Sequence, residues 1–266
     1  MSPRRRALEI LALKDPEEKA REARELQARC EAGTDWASTE RPVPAGVLPG
    51  RPERPALVPP DSVPRRSPFT PEGRAALLHA IAHIEFNAIN LALDAVWRFA
   101  DMPPRFYADW LRVAAEEAFH FTLLREHLHT LGHDYGDFSA HDGLWAMTEK
   151  TRDDIVARMA LVPRTLEARG LDATPLIQAK LRKAGDERAV EILDIILRDE
   201  VGHVAIGNHW YRWLCERDGL DPVSHYRVLT ERYQAPKLKP PFNREARKRA
   251  GFSDEELRYL EGDGGT

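Results

Sequence analysis

Cysteine is almost missing from this chain: Cys30 and Cys215 are the only two among 266 residues. Two thiols so far apart in sequence make neither a disulfide framework nor a Cys-x-x-Cys site, and a reducing cytoplasm is the default location. Long apolar runs are lacking too. No unbroken stretch approaches the roughly 18 residues of a membrane span, so no membrane partner is expected. The start, Met1-Ser2-Pro3-Arg4-Arg5-Arg6, is basic, but Ala7 to Leu13 is interrupted by Glu9 and makes a poor signal peptide. Neither sign of charge dominates: 39 Lys and Arg oppose 43 Asp and Glu, a net charge of −4 that selects no class of partner. Alternating strand patterns and short repeats are absent as well. What remains is a soluble, all-α protein, 42% hydrophobic and 31% charged, long enough to bury one substantial core.

Proline is scarce along most of the chain and crowded in one place. Residues 42–71 hold ten of the 20 prolines, which rules out regular helix or sheet there and predicts an extended arm. Helix starts are marked on both sides of it. Asp15-Pro16-Glu17-Glu18 combines an N-cap, proline at the first helical position and acids in the first turn. The charged helix that follows, to about Cys30, is expected to lie on a surface. Thr70-Pro71-Glu72 opens a second helix, to about Ala100. Asp101-Met102-Pro103-Pro104 turns into a third that Gly132 ends. Another is expected from Trp145 to Arg169, stopped by Gly170, then a short one from Pro175 to Ala184 and a long one from Asp186 to Arg217. Three regions result: 1–70, a helix and arm; 71–217, a helical bundle; and 218–266, a basic extension ending in a Ser253-Asp254-Glu255-Glu256 capping box.

Two Glu-x-x-His pairs stand out within those helices, Glu117–His120 and Glu200–His203. Three residues along an α-helix advance 300° and about 4.5 Å, so carboxylate and imidazole lean to one side. Four glutamates also occupy positions where a helix facing a core should be apolar. Glu85 lies among Leu78, Ile81, Ala82, Ala88, Ile89 and Ala92; Glu117 among Val113, Ala114, Phe121 and Leu124. Glu167 lies among Val156, Met159, Ala160, Pro163 and Leu171, and Glu200 among Leu193, Ile196, Val204 and Gly207. A buried carboxylate costs several kcal/mol or takes up a proton, so four of them imply cations. Their order is Glu, Glu-x-x-His, Glu, Glu-x-x-His, with intervals of 32, 50 and 33 residues. The outer intervals suit helical hairpins with short turns, and the middle one suits a longer crossover.

In these motifs the chain resembles the ferritin-like superfamily of di-iron carboxylate proteins over roughly Pro71 to Cys215. With its arm and tail it resembles the bacterial ferritin-like family called domain of unknown function 455. The resemblance implies an antiparallel four-helix bundle holding two metal ions. Glu117 and Glu200 would bridge them, His120 and His203 would cap one each, and Glu85 and Glu167 would be the outer carboxylates. Pro163, four residues before Glu167, is expected to kink that helix. Carboxylate-rich sites with two imidazoles favour iron, or manganese, over copper. Di-iron proteins that carry both histidines include O2-using hydroxylases. The first expectation is therefore an O2-dependent oxidoreductase, a hydroxylase of an organic substrate such as a modified tRNA base or a small ring, with an electron-donor protein. A non-catalytic iron-handling protein is the alternative, and an interaction scaffold the third.

Further residues of the same helices and tail are candidates for supporting roles. Asp94 and Asp199 are candidates to hydrogen-bond ligand imidazoles. Phe121, Ile89 and Tyr211 are candidates to line a substrate channel, although a core role for Tyr211 is favoured. His79 and His83 point away from the Glu85 face and read as polar-side or supporting groups. His127, His129, His133 and His141 read as surface scatter. The tail's Arg232, Lys237, Lys239, Arg244, Arg247, Lys248 and Arg249 offer an RNA surface, against which a solvated face is favoured.

Overall fold

A computed structural model describes residues 2–30, 34–37 and 39–262. Among them all regular structure is helical, with one isolated parallel bridge between Leu57 and Ala140. The chain divides into two compact units, Met1–Trp145 with Lys180–Ile192, and Ala146–Ala179 with Leu193–Thr266.

The first unit is built on a long helical hairpin. Helix α3 (Pro71–Arg98) starts at Thr70, whose hydroxyl accepts from Gly73 N. Helix α4 (Pro104–Thr130) follows after five residues, too few for anything but an antiparallel return. Arg74 near the start of α3 and His127 near the end of α4 both reach Asp186, at 3.3 and 2.8 Å. Helix α1 (Pro3–Leu11) packs on α3, and α2 (Pro16–Arg29) packs on α4. The expected caps at Asp15 and Thr70 are both in place. Helix α2 is not the purely surface element its charge suggested. Ala20, Ala23 and Leu26 are buried, and Lys19 is fully buried, its Nζ donating to Gly50 O at 2.7 Å and Asn90 Oδ1 at 2.6 Å. An 18-residue window of α3 is long and apolar enough to cross a membrane, contrary to expectation, but 72% of it is buried within the structure. The proline-rich arm has one short 3-10 turn, Pro60–Ser62. It is tied down by Val58 N to Ala140 O at 2.8 Å, Ala140 N to Ala56 O at 3.0 Å and an Arg51–Asp142 ion pair at 2.8 Å.

The second unit departs from the expected helix pattern. In place of one helix over 145–169, α5 (Gly143–Lys150) stops and α6 (Ile155–Leu161) restarts on an Asp154 cap. A π-helical turn (Val162–Glu167) then leads into α7 (Ala168–Lys183), which runs straight through Gly170 and Pro175. The expected kink at Pro163 is this turn: without an N–H, proline cannot continue the ordinary hydrogen-bond ladder. Gly170 does not end the helix, because a glycine is tolerated in a helix interior at modest cost. Helix α8 (Glu187–Asp218) closely matches expectation. Helices α9 (Pro222–Arg232), α10 (Arg244–Arg249) and α11 (Asp254–Glu261) make up the tail, and the Ser253–Glu256 capping box is present.

Candidate metal centre

Three of the six sequence-selected residues meet inside the first unit. Glu85 comes from the middle of α3, and Glu117 and His120 from successive turns of α4. One ligand atom from each lies within 4.8 Å of the others, and all three residues are buried. His120 Nδ1 is 3.3 Å from Glu85 Oε2 and 3.4 Å from Glu117 Oε2. Burial, and then the charge of Glu117, push the Glu85 carboxyl well above the usual range. Such a set binds a proton or a cation. Two carboxylates and one imidazole, converging in a buried interior, could hold a metal ion.

The other three lie in the second unit. Glu200 and His203 are both buried on α8, Glu200 Oε1 being 3.8 Å from His203 Nδ1. Glu167, 7% exposed, is the last residue of the π turn. One turn further on, a Cβ placed on Gly170 would lie 4.0 Å from Glu200 Cγ and Cδ. The α7 backbone after Glu167 thus runs alongside the Glu200 side chain. Pro163 is packed more tightly still, since a Cβ on Gly207 would fall 2.6 Å from Pro163 Cβ.

The supporting candidates have these surroundings. The Asp94 carboxylate is held by Arg98 in two-pronged fashion at 2.7–3.0 Å, and Asp199 pairs with Arg198 at 2.8 Å. Tyr211 is a core residue whose hydroxyl donates to Pro222 O at 2.7 Å. Ile89 is fully buried, and Phe121 packs against Phe86 and Tyr135 at ring distances of 5.5 and 5.0 Å. His79 and His83 do not lie on a polar side. Both are buried, His83 Nδ1 meeting Tyr135 Oη at 2.8 Å and His79 Nε2 accepting from Gly136 N at 2.9 Å. Burial pushes them down to about 4 for His79 and about 3 for His83. His127 is buried rather than scattered on the surface. The tail cations Arg244, Arg247 and Lys248 are answered inside the unit by Glu261, Asp172 and Asp254, at distances of 2.5–2.7 Å. Asp172 lies 75 residues before Arg247, so charge counting along the tail could not pair those two.

A model of the family described as "Protein of unknown function (DUF455)" matches residues 12–258. A Haemophilus influenzae protein described as uncharacterized is 55% identical over 225 residues, which cover 82% of this chain and 78% of that one. No solved structure matches. Both matches span most of the chain, the family model including the arm and most of the tail, and the protein belongs to the DUF455 family.

Proposed function

We propose that this protein is a carboxylate–histidine metalloprotein holding two ions of iron or manganese. One ion would be served by Glu85, Glu117 and His120, and the other by Glu167, Glu200 and His203. The observation that carries this reading is the meeting of Glu85, Glu117 and His120, all buried, with the imidazole nitrogen within 3.4 Å of both carboxylates. A fixed ring nitrogen and two acids without water around them suit a hard cation far better than they suit a folded core without one. The repeated order Glu, then Glu-x-x-His, extends the reading to the second set. That order also supports a ferritin-like bundle.

We propose further that the pair of ions, as iron, supplies O2-dependent oxidation of an organic substrate. Within this reading the chain's own contribution is to fix the donors on buried helix faces and to exclude water from the ions. Burial and the charge of Glu117 push the Glu85 carboxyl up, and a carboxylate must be deprotonated to hold a cation, so affinity would rise with pH. The test is to purify the protein without oxygen, load Fe(II), add a small-molecule and tRNA extract with a two-electron donor such as NADH and a redox-carrier protein, admit O2 and follow both oxygen uptake and products. Catalytic uptake with a new hydroxylated product supports the enzyme. Stoichiometric uptake without product supports an iron-handling protein.

A further inference from the structure

The π-helical turn places Glu167 at its last position, and both flanks of that residue are tied to the C-terminal segment. On the near side, Arg164 is 3% exposed. It donates to Asn208 Oδ1 at 2.9 Å and to Glu256 Oε1 at 2.8 Å. Its guanidinium lies over Phe252 at 4.8 Å and Tyr226 at 4.9 Å. On the far side, Arg247 is fully buried and donates to Ala168 O at 3.3 Å and to both oxygens of Asp172 at 3.0 and 2.7 Å. The Phe252 ring meets this second guanidinium as well, at 5.1 Å. Ala246, Ala250, Phe252 and Leu257 of the tail share one apolar cluster with Ala168, Leu171, Val201 and Val204. Ala168 follows Glu167 directly, while Val201 and Val204 follow Glu200 and His203.

We propose that residues 242–261 are a clamp that fixes Glu167 in register with Glu200 and His203, with Arg164, Arg247 and Glu256 as positioning residues. This rests on reading those three residues as metal ligands. A π turn carries one residue more than the α-helix would, has poorer hydrogen-bond geometry and persists where surrounding contacts hold it. Here Thr165 Oγ1 returns to Ala160 O at 2.8 Å and meets Tyr226 Oη at 2.8 Å. The remaining hold comes from buried charge. Losing one partner of such a pair strands the other in the interior and is strongly unfavourable. The clamp is thus most sensitive at Glu256, which accepts from Arg164 on one oxygen and from Arg212 on the other, each at 2.8 Å.

The test uses the full chain with Glu256→Gln, and with Arg244→Gln as control. Glutamine can keep the capping box but presents one amide donor to a guanidinium. Arg244 pairs with Glu261 and Asp254, remote from the turn. Two readouts are taken: hydrogen exchange of amides 162–168 in metal-free protein, and anaerobic Mn(II) titration. Glu256→Gln should speed exchange in that turn at least tenfold over the control. It should weaken one Mn(II) equivalent at least fivefold and leave the other unchanged. If Glu256→Gln fails to fold, Phe252→Leu is read the same way. Unaltered exchange at the turn, or equal acceleration throughout the chain, overturns the clamp. Quickened exchange at the turn in a chain that takes up no Mn(II) supports the clamp and overturns the metal reading instead.

Discussion

The two compact units carry the same kinds of donor by different means. In the first, Glu85, Glu117 and His120 sit on two unbroken helices of 28 and 27 residues joined by a short link. Helix periodicity alone sets their spacing, and their neighbours are apolar. In the second, Glu200 and His203 sit on an equally regular helix, but Glu167 rides on a turn that departs from α geometry. That turn is held by Arg164, Arg247 and a glycine cut to fit Pro163. Two donors per unit come directly from a local motif. The third donor of the second unit needs a tail some 80 residues further along the chain to keep it in place.

The largest expected effect separates the two sets. His120→Ala should abolish one metal equivalent with little change in helical circular dichroism, and His203→Ala should abolish the other. Because Glu85, Glu117 and His120 all sit on regular helices while Glu167 sits on a π turn, the ion lost with His120 should be the tighter one, by at least tenfold in an anaerobic titration. Equal affinities would erase the difference between the units.

A smaller effect belongs to the first unit alone. His79 is held near pKa 4, mainly by burial with a small contribution from His133, against the weaker pull of Asp137 and Asp134. Its folded value lies below its unfolded one near 6.5, so its contribution is full above pH 6.5 and is lost as pH falls toward 4. The expected cost between pH 7.5 and pH 5 is about 2 kcal/mol. His79→Gln, which can still accept from Gly136 N, should flatten that part of the urea-denaturation profile. Parent and variant profiles of equal slope would refute it.

The smallest effects test the packing around Glu167. Gly207→Ala drives a methyl into the rigid Pro163 ring and should cost about 1–3 kcal/mol. Gly170→Ala meets Glu200 at ordinary contact distance in a helix interior and should gain about 0.5–1 kcal/mol. Thermal melts distinguish the two signs, and a reversed order would mean that the turn is not held by that contact.

What could be read from sequence follows the same division. Helices α3, α4 and α8 have caps and long apolar stripes, and a glutamate within a stripe is visible without knowing what it faces. Cap residues at Asp15, Thr70 and Ser253 act over three residues, so local sequence defines them. The stretch 143–183 was misdivided because Gly170 and Pro175, both ordinary helix breakers, lie inside α7. Long-range contacts decide such positions, and they leave no periodic trace. Arg247 and Asp172, 75 residues apart, illustrate the same blindness. Each looks like a surface charge until the fold buries both.

Metal content bears most directly on the central claim. Protein purified without oxygen, loaded with Fe(II) or Mn(II) and freed of excess ion should hold two ions per chain by elemental analysis, one in His120→Ala and one in His203→Ala. A parent chain that holds less than half an ion, or variants that hold as much as the parent, would contradict it.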